Sequence, residues 1–335
     1  MYYRNLQLQE WKSFSEAQAI YYAKKLANYL PQDIKFMGIS SHSYCHQKNL
    51  IAHFEYAGSL FSLIPGAEVQ IGYDAERFCP TKEQLSSFKD TAEEYGIEED
   101  ITTYVQSITT PLRNVTILPL LVEIQPQEIG LEPISHTEPE IQNLLKQHPD
   151  SRIIEVNNKC RVERVKDGAV SAWQIVNKTH SDITAEIASQ GLRLLTSDEW
   201  EYICGAGEKT LFRWGDACPC DRYPTDNTPK ERRRRTEWAL SGGKIPFELD
   251  EPDWDFHLVP NLFGLKIAQN PYVWEIVAEE NVVRGGDGGC NICGGVGFFM
   301  GWLPLATAYW DQSITEWLDE GDLSDSFVRR VIPIP

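Results

Sequence analysis

The sequence lacks any stretch that approaches the roughly 20 apolar residues of a membrane-spanning helix. Its first residues, MYYRNLQ, also lack the charged-then-apolar pattern of a signal peptide. Basic residues are outnumbered, since 31 Lys and Arg stand against 49 Asp and Glu and give a formal net charge of -18. This acid excess opposes nonspecific binding to nucleic acid or to an anionic membrane. We therefore expect a cytoplasmic protein that binds neither. The one basic run, residues 230–235, is expected to be a solvated loop, with contact to an anion or an acidic partner as the alternative.

Internal repeats and low-complexity segments are absent, which favours an ordinary globular chain. With 42% hydrophobic residues, 10 of them Trp, the 335 residues can bury a substantial core. The eight cysteines of a cytoplasmic chain are expected to be mostly reduced. They are then buried apolar residues, metal ligands or redox groups rather than disulfides.

The N-terminal part of the sequence is predicted to be helical. Residues 15–30 carry apolar side chains at a spacing near 3.6, and Pro31 ends the pattern. A second helix is predicted around residues 42–54. We place a domain boundary near Glu55, which gives a helical N-terminal segment (1–55) and a main domain (56–335). The main domain is rich in Gly, Pro and Trp, which indicates irregular backbone held by aromatic packing.

One helix of the main domain is predicted from a capping box. Thr196 can accept from the backbone N–H of Glu199, and the Glu199 side chain can accept from the backbone N–H of Thr196. Trp200, Ile203 and Cys204 then share one face, and the glycines at 205 and 207 end the helix.

Several motifs in the main domain are familiar as a set. They are RLLTSDEWEY (193–202), FRWGD (212–216), PNLFGL (260–265), VWE (273–275) and VRGG (283–286), with a predicted opening strand at 61–72 and a predicted closing strand at 327–331. In this order they resemble the formylglycine-generating enzyme (sulfatase-modifying factor) family. The resemblance implies an α+β, C-type-lectin-like fold with much irregular structure, preceded here by the short helical segment.

The resemblance also implies a catalytic site. The family oxidises a substrate cysteine to formylglycine with dioxygen, using Cu(I) held by two cysteines, and soft thiolates suit this ion. Cys290 matches the first of these cysteines. The second position is Gly295 here, and Cys293 stands two residues earlier. Cys290 and Cys293 are therefore the candidate catalytic residues and copper ligands.

Two further positions depart from the family pattern. Asp287 replaces a serine after the double glycine, and Tyr272 replaces an asparagine that the family uses around a structural calcium. Read without the family, Cys290-x-x-Cys293 is either a metal or redox pair or two small thiols packed under a glycine-rich loop. A four-sulfur zinc site would need Cys218-x-Cys220 as its second pair.

The histidines suggest a different metal site. His42 and His46, with His53 further on, would lie on one face of the second predicted helix, a spacing that can bind iron or zinc. The pattern is similar to the His-x-x-x-His of the ergothioneine-forming sulfoxide synthases, which are non-heme iron enzymes, although Lys48 stands where those enzymes carry a glutamate. The alternative is histidines packed against the main domain.

Acidic and aromatic residues of the motifs have simpler explanations. Glu199, Glu201 and Glu275 are expected to be structural, Glu275 by accepting backbone hydrogen bonds. Most tryptophans are expected in the core, but Trp302 could wall a cleft beside the cysteines. The candidate binding residues are Asp287, Trp302, Trp274 and Arg284.

Two functions remain open. The first, slightly favoured, is a non-catalytic module that binds a protein or small ligand through the surface at 287–311. The alternative is a copper- and O2-dependent oxidase of a cysteine or other thiol that uses Cys290 and Cys293. A non-heme iron enzyme of the sulfoxide-synthase type is the third hypothesis.

Overall fold

The computed structural model describes residues 3–156, 159–164, 168–226, 256–310, 323 and 326–334. The basic run at 230–235 lies outside the described residues. Helices and strands are mixed along the described chain, so the fold is α+β, as predicted. None of the described helices is long and apolar enough to cross a membrane.

The helices of the described residues are α1 (Leu8–Ser13), α2 (Glu16–Ala27), α3 (Lys82–Tyr95), α4 (Ile101–Ser107), α5 (Pro139–Gln147), α6 (His180–Ser189), α7 (Ser197–Gly205), α8 (Cys290–Cys293) and α9 (Phe298–Trp302). Short 3-10 turns lie at Tyr3–Leu6, Ala75–Arg77 and Leu303–Leu305. The strands are β1 (Lys35–Tyr44), β2 (Gln47–Tyr56), β3 (Ser59–Ile64), β4 (Ala67–Ile71), β5 (Arg113–Ile117), β6 (Leu120–Glu123), β7 (Gln127–Glu128), β8 (Leu131–Ile134), β9 (Ile153–Val156), β10 (Cys160–Arg164), β11 (Val170–Ile175), β12 (Arg193–Leu194), β13 (Glu275–Ile276), β14 (Val283–Arg284), β15 (Phe327–Val328) and β16 (Arg330–Pro333).

Helix α2 confirms the first predicted helix. Ser15 caps it, because its side chain accepts from the backbone N–H of Gln18 while the Gln18 side chain accepts from the backbone N–H of Ser15. The apolar face buries Ala19, Ala23 and Leu26. The helix therefore forms where its sequence pattern placed it.

The second predicted helix, around residues 42–54, is wrong. Strands β1 and β2 form an antiparallel hairpin there, and Cys45 and His46 make its turn with φ of 44° and 68°. Strand β2 also pairs with β3, so pairing between neighbouring strands, and not the local sequence pattern, decides the conformation. The boundary predicted near Glu55 falls inside β2.

A six-stranded sheet crosses that boundary and organises the molecule. Its strand order is β1-β2-β3-β6-β16-β12. The two faces of β3 point into different cores, because Phe61 and Leu63 pack with α2 while Ile64 packs with α7. The larger core, on the α7 side, also contains Trp302.

Three smaller sheets complete the described chain. Their orders are β8-β11-β10-β9, β14-β13-β15-β7 and β4-β5. The first packs with α5 around Ile141 and Val162, separately from the main cores. The second is important for the site, since β14 leads directly into the glycine-rich loop that carries the cysteines.

Helix α7 has the predicted capping box. Thr196 accepts from the Glu199 N–H at 3.2 Å, and the Glu199 carboxylate accepts from the Thr196 N–H at 2.9 Å. Trp200, Ile203 and Cys204 are buried, as expected for one apolar face. The helix ends at Gly205, after which Ala206 adopts a left-handed φ of 51°.

Candidate functional site

The double glycine at 285–286 lets the loop after β14 lie against backbone. A Cβ atom on Gly286 would stand 2.5 Å from the carbonyl oxygen of Val273 and 2.6 Å from that of Pro271. Because no side chain fits this contact, only glycine allows the approach. The loop is thereby held against the segment that also carries Tyr272.

Asp287 braces the same loop from inside. Its side chain is 1% exposed, and its carboxylate accepts from the backbone N–H groups of Gly289 at 2.8 Å and Asn291 at 2.9 Å. Its own N–H donates to Pro271. The structure therefore corrects the predicted binding role, because this carboxylate is buried and bonded to the loop rather than presented to a ligand.

Cys290 and Cys293 begin and end α8, and both are exposed. Residues three apart on one helical turn lie on the same side of the helix. The packing alternative, two thiols tucked under the loop, is therefore wrong. The pair is instead presented at the surface by a braced segment.

Two tyrosines flank this dithiol. The Tyr272 hydroxyl lies 3.3 Å from the sulfur of Cys293, and this hydrogen bond raises the pKa of the phenol. The Tyr95 hydroxyl, from α3, donates to the carbonyl of Gly294 at 2.6 Å. The rings are 40% and 46% exposed. Sequence reasoning noted Tyr272 only as a departure from the family and missed Tyr95, which is almost 200 residues away along the chain.

Two other predicted binding residues have structural contacts. Arg284 is 2% exposed and donates to the Ser197 hydroxyl and to the carbonyl of Tyr309. Burial lowers its pKa. Trp274 is half-buried and donates from its indole to the Ser326 hydroxyl at 2.8 Å. Arg284 thus ties α7 to the C-terminal part of the chain and does not face a ligand.

Trp302 lies in the core and not on a cleft wall. Its side chain is 0% exposed, its indole N–H donates to the carbonyl of Arg222 at 2.9 Å, and its ring packs edge-on against Trp214. The prediction of a binding role is corrected because no part of this side chain reaches the surface.

The histidine site also fails on geometry. His42 lies on β1 with Nε2 3.0 Å from the carbonyl oxygen of Pro260, whereas His46 lies in the hairpin turn. His53 contacts the Ser40 hydroxyl, and burial lowers its pKa. Since the shared helical face does not exist, the argument for iron or zinc at His42 and His46 loses its basis.

The described residues contain no group of three or more His, Cys, Asp or Glu side chains that could hold a metal ion. Cys218 is buried and accepts from the Gln84 amide at 3.6 Å, while Cys220 is half-buried beside it. Burial raises the pKa of Cys218, and the hydrogen bond from Cys218 lowers the pKa of Cys220. Within this part of the chain, the two cysteine pairs do not form a four-sulfur zinc site.

The three glutamates have structural partners. Glu199 caps α7 and pairs with Arg193. Glu201 is 1% exposed and accepts from Thr110 at 2.8 Å and Arg113 at 3.0 Å. Glu275 accepts from the indole of Trp200 at 3.1 Å and from the guanidinium of Arg329 at 2.7 and 2.9 Å, and from no backbone N–H of the described residues, which differs from the expected backbone role.

Comparisons with known proteins identify no family for these residues. No protein-family model matches the chain, and no curated protein matches it.

Proposed function

We propose that the chain is a divergent formylglycine-generating-enzyme-like domain with a C-type-lectin-like fold, whose functional centre is the dithiol of Cys290 and Cys293. In this proposal the centre binds Cu(I) and serves an O2-dependent oxidation of a cysteine or other thiol. The observation that carries it is the exposure of both thiols on one helical turn. A cytoplasmic location would keep both thiols reduced and available.

The donor set fits the ion. Two neighbouring thiols are the soft ligands that Cu(I) prefers over hard cations. When bound, copper would supply the electron transfer between a thiol substrate and dioxygen that the protein's own side chains lack. A calcium site, which the family resemblance also implies, stays a prediction.

The surrounding residues have defined tasks in this proposal. Asp287 fixes the loop backbone on both sides of Cys290, and Tyr95 fixes Gly294 directly after Cys293. The Tyr272 hydroxyl orients the sulfur of Cys293 and can donate to its thiolate. A preorganised pair of this kind loses little entropy when it binds an ion.

A non-catalytic binding module is the second candidate, and one observation favours it. The dithiol is flanked by two exposed tyrosines, Tyr95 and Tyr272, and aromatic side chains of this type are enriched in interfaces with proteins and small ligands. This function needs the tyrosines and the loop but not the thiols.

Titration of the reduced protein with Cu(I) tests the main proposal. We expect one ion per chain, lost in the Cys290→Ser/Cys293→Ser variant and kept in Cys218→Ser/Cys220→Ser, which removes two thiols elsewhere. Absence of binding, or equal binding by both double variants, would refute the copper site. Reduced glutathione under oxygen then separates the candidates, because the oxidase consumes oxygen whereas a binding module does not.

A further inference from the structure

A pocket lies away from the dithiol, where the β1–β2 turn approaches the end of α7. Its walls include Tyr44, Cys45, Cys204, Ala206, Glu208 and Arg213. The pocket has about 240 Å³ of empty space, including its open mouth, and its depth has room for about one water-sized particle. Only a compact group can therefore enter fully.

Arg213 supplies an unusual charge to this pocket. Its side chain is 1% exposed, with Nη1 donating to the carbonyl of Ala268 at 2.9 Å and Nη2 to that of His257 at 2.5 Å. Its buried Nε has no hydrogen-bond partner among the described residues. No ion pair joins Arg213 to a carboxylate among the described residues; its guanidinium lies over the ring of Trp214, 5.2 Å from the ring centroid.

The other buried arginines are neutralised. Arg329 and Arg330 contact the carboxylates of Glu275 and Glu123 at 2.7 Å, and Arg284 lies 3.5 Å from that of Glu201. A buried cation without an opposite charge is strongly unfavourable because it has lost its hydration. Arg213 is the exception to this pattern within the described chain.

Several other polar side chains of the pocket walls already have hydrogen-bond partners. The Tyr44 hydroxyl donates to the carbonyl of Phe256, and the Asn261 amide donates to the carbonyl of Ile203 while accepting from the N–H of Phe263. The carboxylate of Glu208, on the exposed rim, accepts from Gln47. Arg213 also lines the pocket, and its Nε is a buried donor without a partner among the described residues.

We propose that this pocket binds one compact monoanion, either a halide or the carboxylate end of a small organic acid, through Arg213. Such an anion neutralises the guanidinium and accepts from Nε. The size of the pocket excludes bulkier anions, and the negative charge of Glu208 at the rim disfavours multivalent ones such as phosphate. This site is independent of the dithiol and of the function proposed for it.

The test is the melting temperature of the full chain during titration with sodium chloride or sodium formate, with methanesulfonate holding the ionic strength constant. We expect a saturable rise, because a ligand that binds only the folded state stabilises it. The anion with the lower apparent Kd shows whether the pocket prefers a halide or a carboxylate. Crystals soaked in bromide should show anomalous density beside Arg213 if a halide binds.

Three variants test whether the anion binds in the Arg213 pocket. Cys45→Asp places a tethered carboxylate in the same pocket, so it should raise the melting temperature without added anion and abolish the response. Glu208→Gln should lower the apparent Kd roughly fivefold by removing a like charge, whereas Glu98→Gln, an exposed acid outside the pocket, should not. Arg213→Met is not a sufficient test by itself, because it also leaves two carbonyls without their donor.

An unsaturable response, or the same response in Cys45→Asp as in the natural sequence, would overturn the proposal and leave a pocket that holds solvent only. Equal apparent Kd values for Glu208→Gln and Glu98→Gln would place any bound anion elsewhere and would overturn it as well.

Discussion

Substitution of Glu275 by alanine should cost a large part of the folding free energy. Glu275 is 3% exposed and accepts from Arg329 at 2.7 and 2.9 Å and from the Trp200 indole at 3.1 Å. Arg329, 1% exposed, would keep its contacts with carbonyl oxygens but lose its only carboxylate among the described residues. Breaking a buried pair in this way costs about 3–5 kcal/mol because a charge stays buried and uncompensated.

Guanidinium unfolding at pH 7, followed by tryptophan fluorescence, measures this cost. Glu275→Gln keeps the shape and one acceptor, so its cost should be smaller. Glu93→Ala is the matched control, since Glu93 pairs with Lys89 on the surface of α3 with both side chains more than two-thirds exposed; its cost should be about 0.5 kcal/mol or less. A loss of under about 1 kcal/mol for Glu275→Ala would show that Arg329 is not left uncompensated in the core.

Three further results are expected. Tyr272→Phe should slow the alkylation of Cys293 about threefold at pH 8, measured by peptide mass spectrometry, because the hydroxyl no longer donates to the thiolate; an unchanged rate would contradict that role. Gly289→Ala should disrupt the cysteine loop and lower the melting temperature, since its Cβ would stand 2.1 Å from the Tyr272 ring, whereas Gly191→Ala, with a similar φ but open space, should change it less. Burial lowers the pKa of His257 to about 4. The unfolded imidazole therefore takes up its proton first as the pH falls, and the free energy of unfolding should drop by about 3 kcal/mol between pH 6.5 and 4. This part of the drop should be missing in His257→Gln; identical pH profiles would contradict the prediction.

Local sequence signals predicted what local interactions decide. The cap of α7 was predictable because Thr196 and Glu199 bond to each other's backbone, and α2 was predictable because its apolar face has a helical period. Residues 42–54 were mispredicted because the hairpin depends on pairing with β3 and on a turn with two non-glycine residues at positive φ. Such turn residues give no clear signal in one sequence.

The candidate site was predictable in part for the same reason. The spacing of Cys290 and Cys293 identified the pair, but their exposure depends on Asp287, which directs its carboxylate inward to the loop backbone. Trp302 was misplaced because proximity along the chain does not show which way a side chain points. No sequence pattern identifies Arg213 as a candidate binding residue. It became one only because its buried Nε has no hydrogen-bond partner among the described residues.

The central claim is that Cys290 and Cys293 together hold a soft metal ion. X-ray absorption at the copper edge of the Cu(I)-loaded protein tests it most directly, because the spectrum identifies the ligand atoms. We expect two sulfur ligands, lost in Cys290→Ser/Cys293→Ser and unchanged in Cys218→Ser/Cys220→Ser. Copper bound only by nitrogen or oxygen, or a sulfur signal that survives in Cys290→Ser/Cys293→Ser, would contradict it.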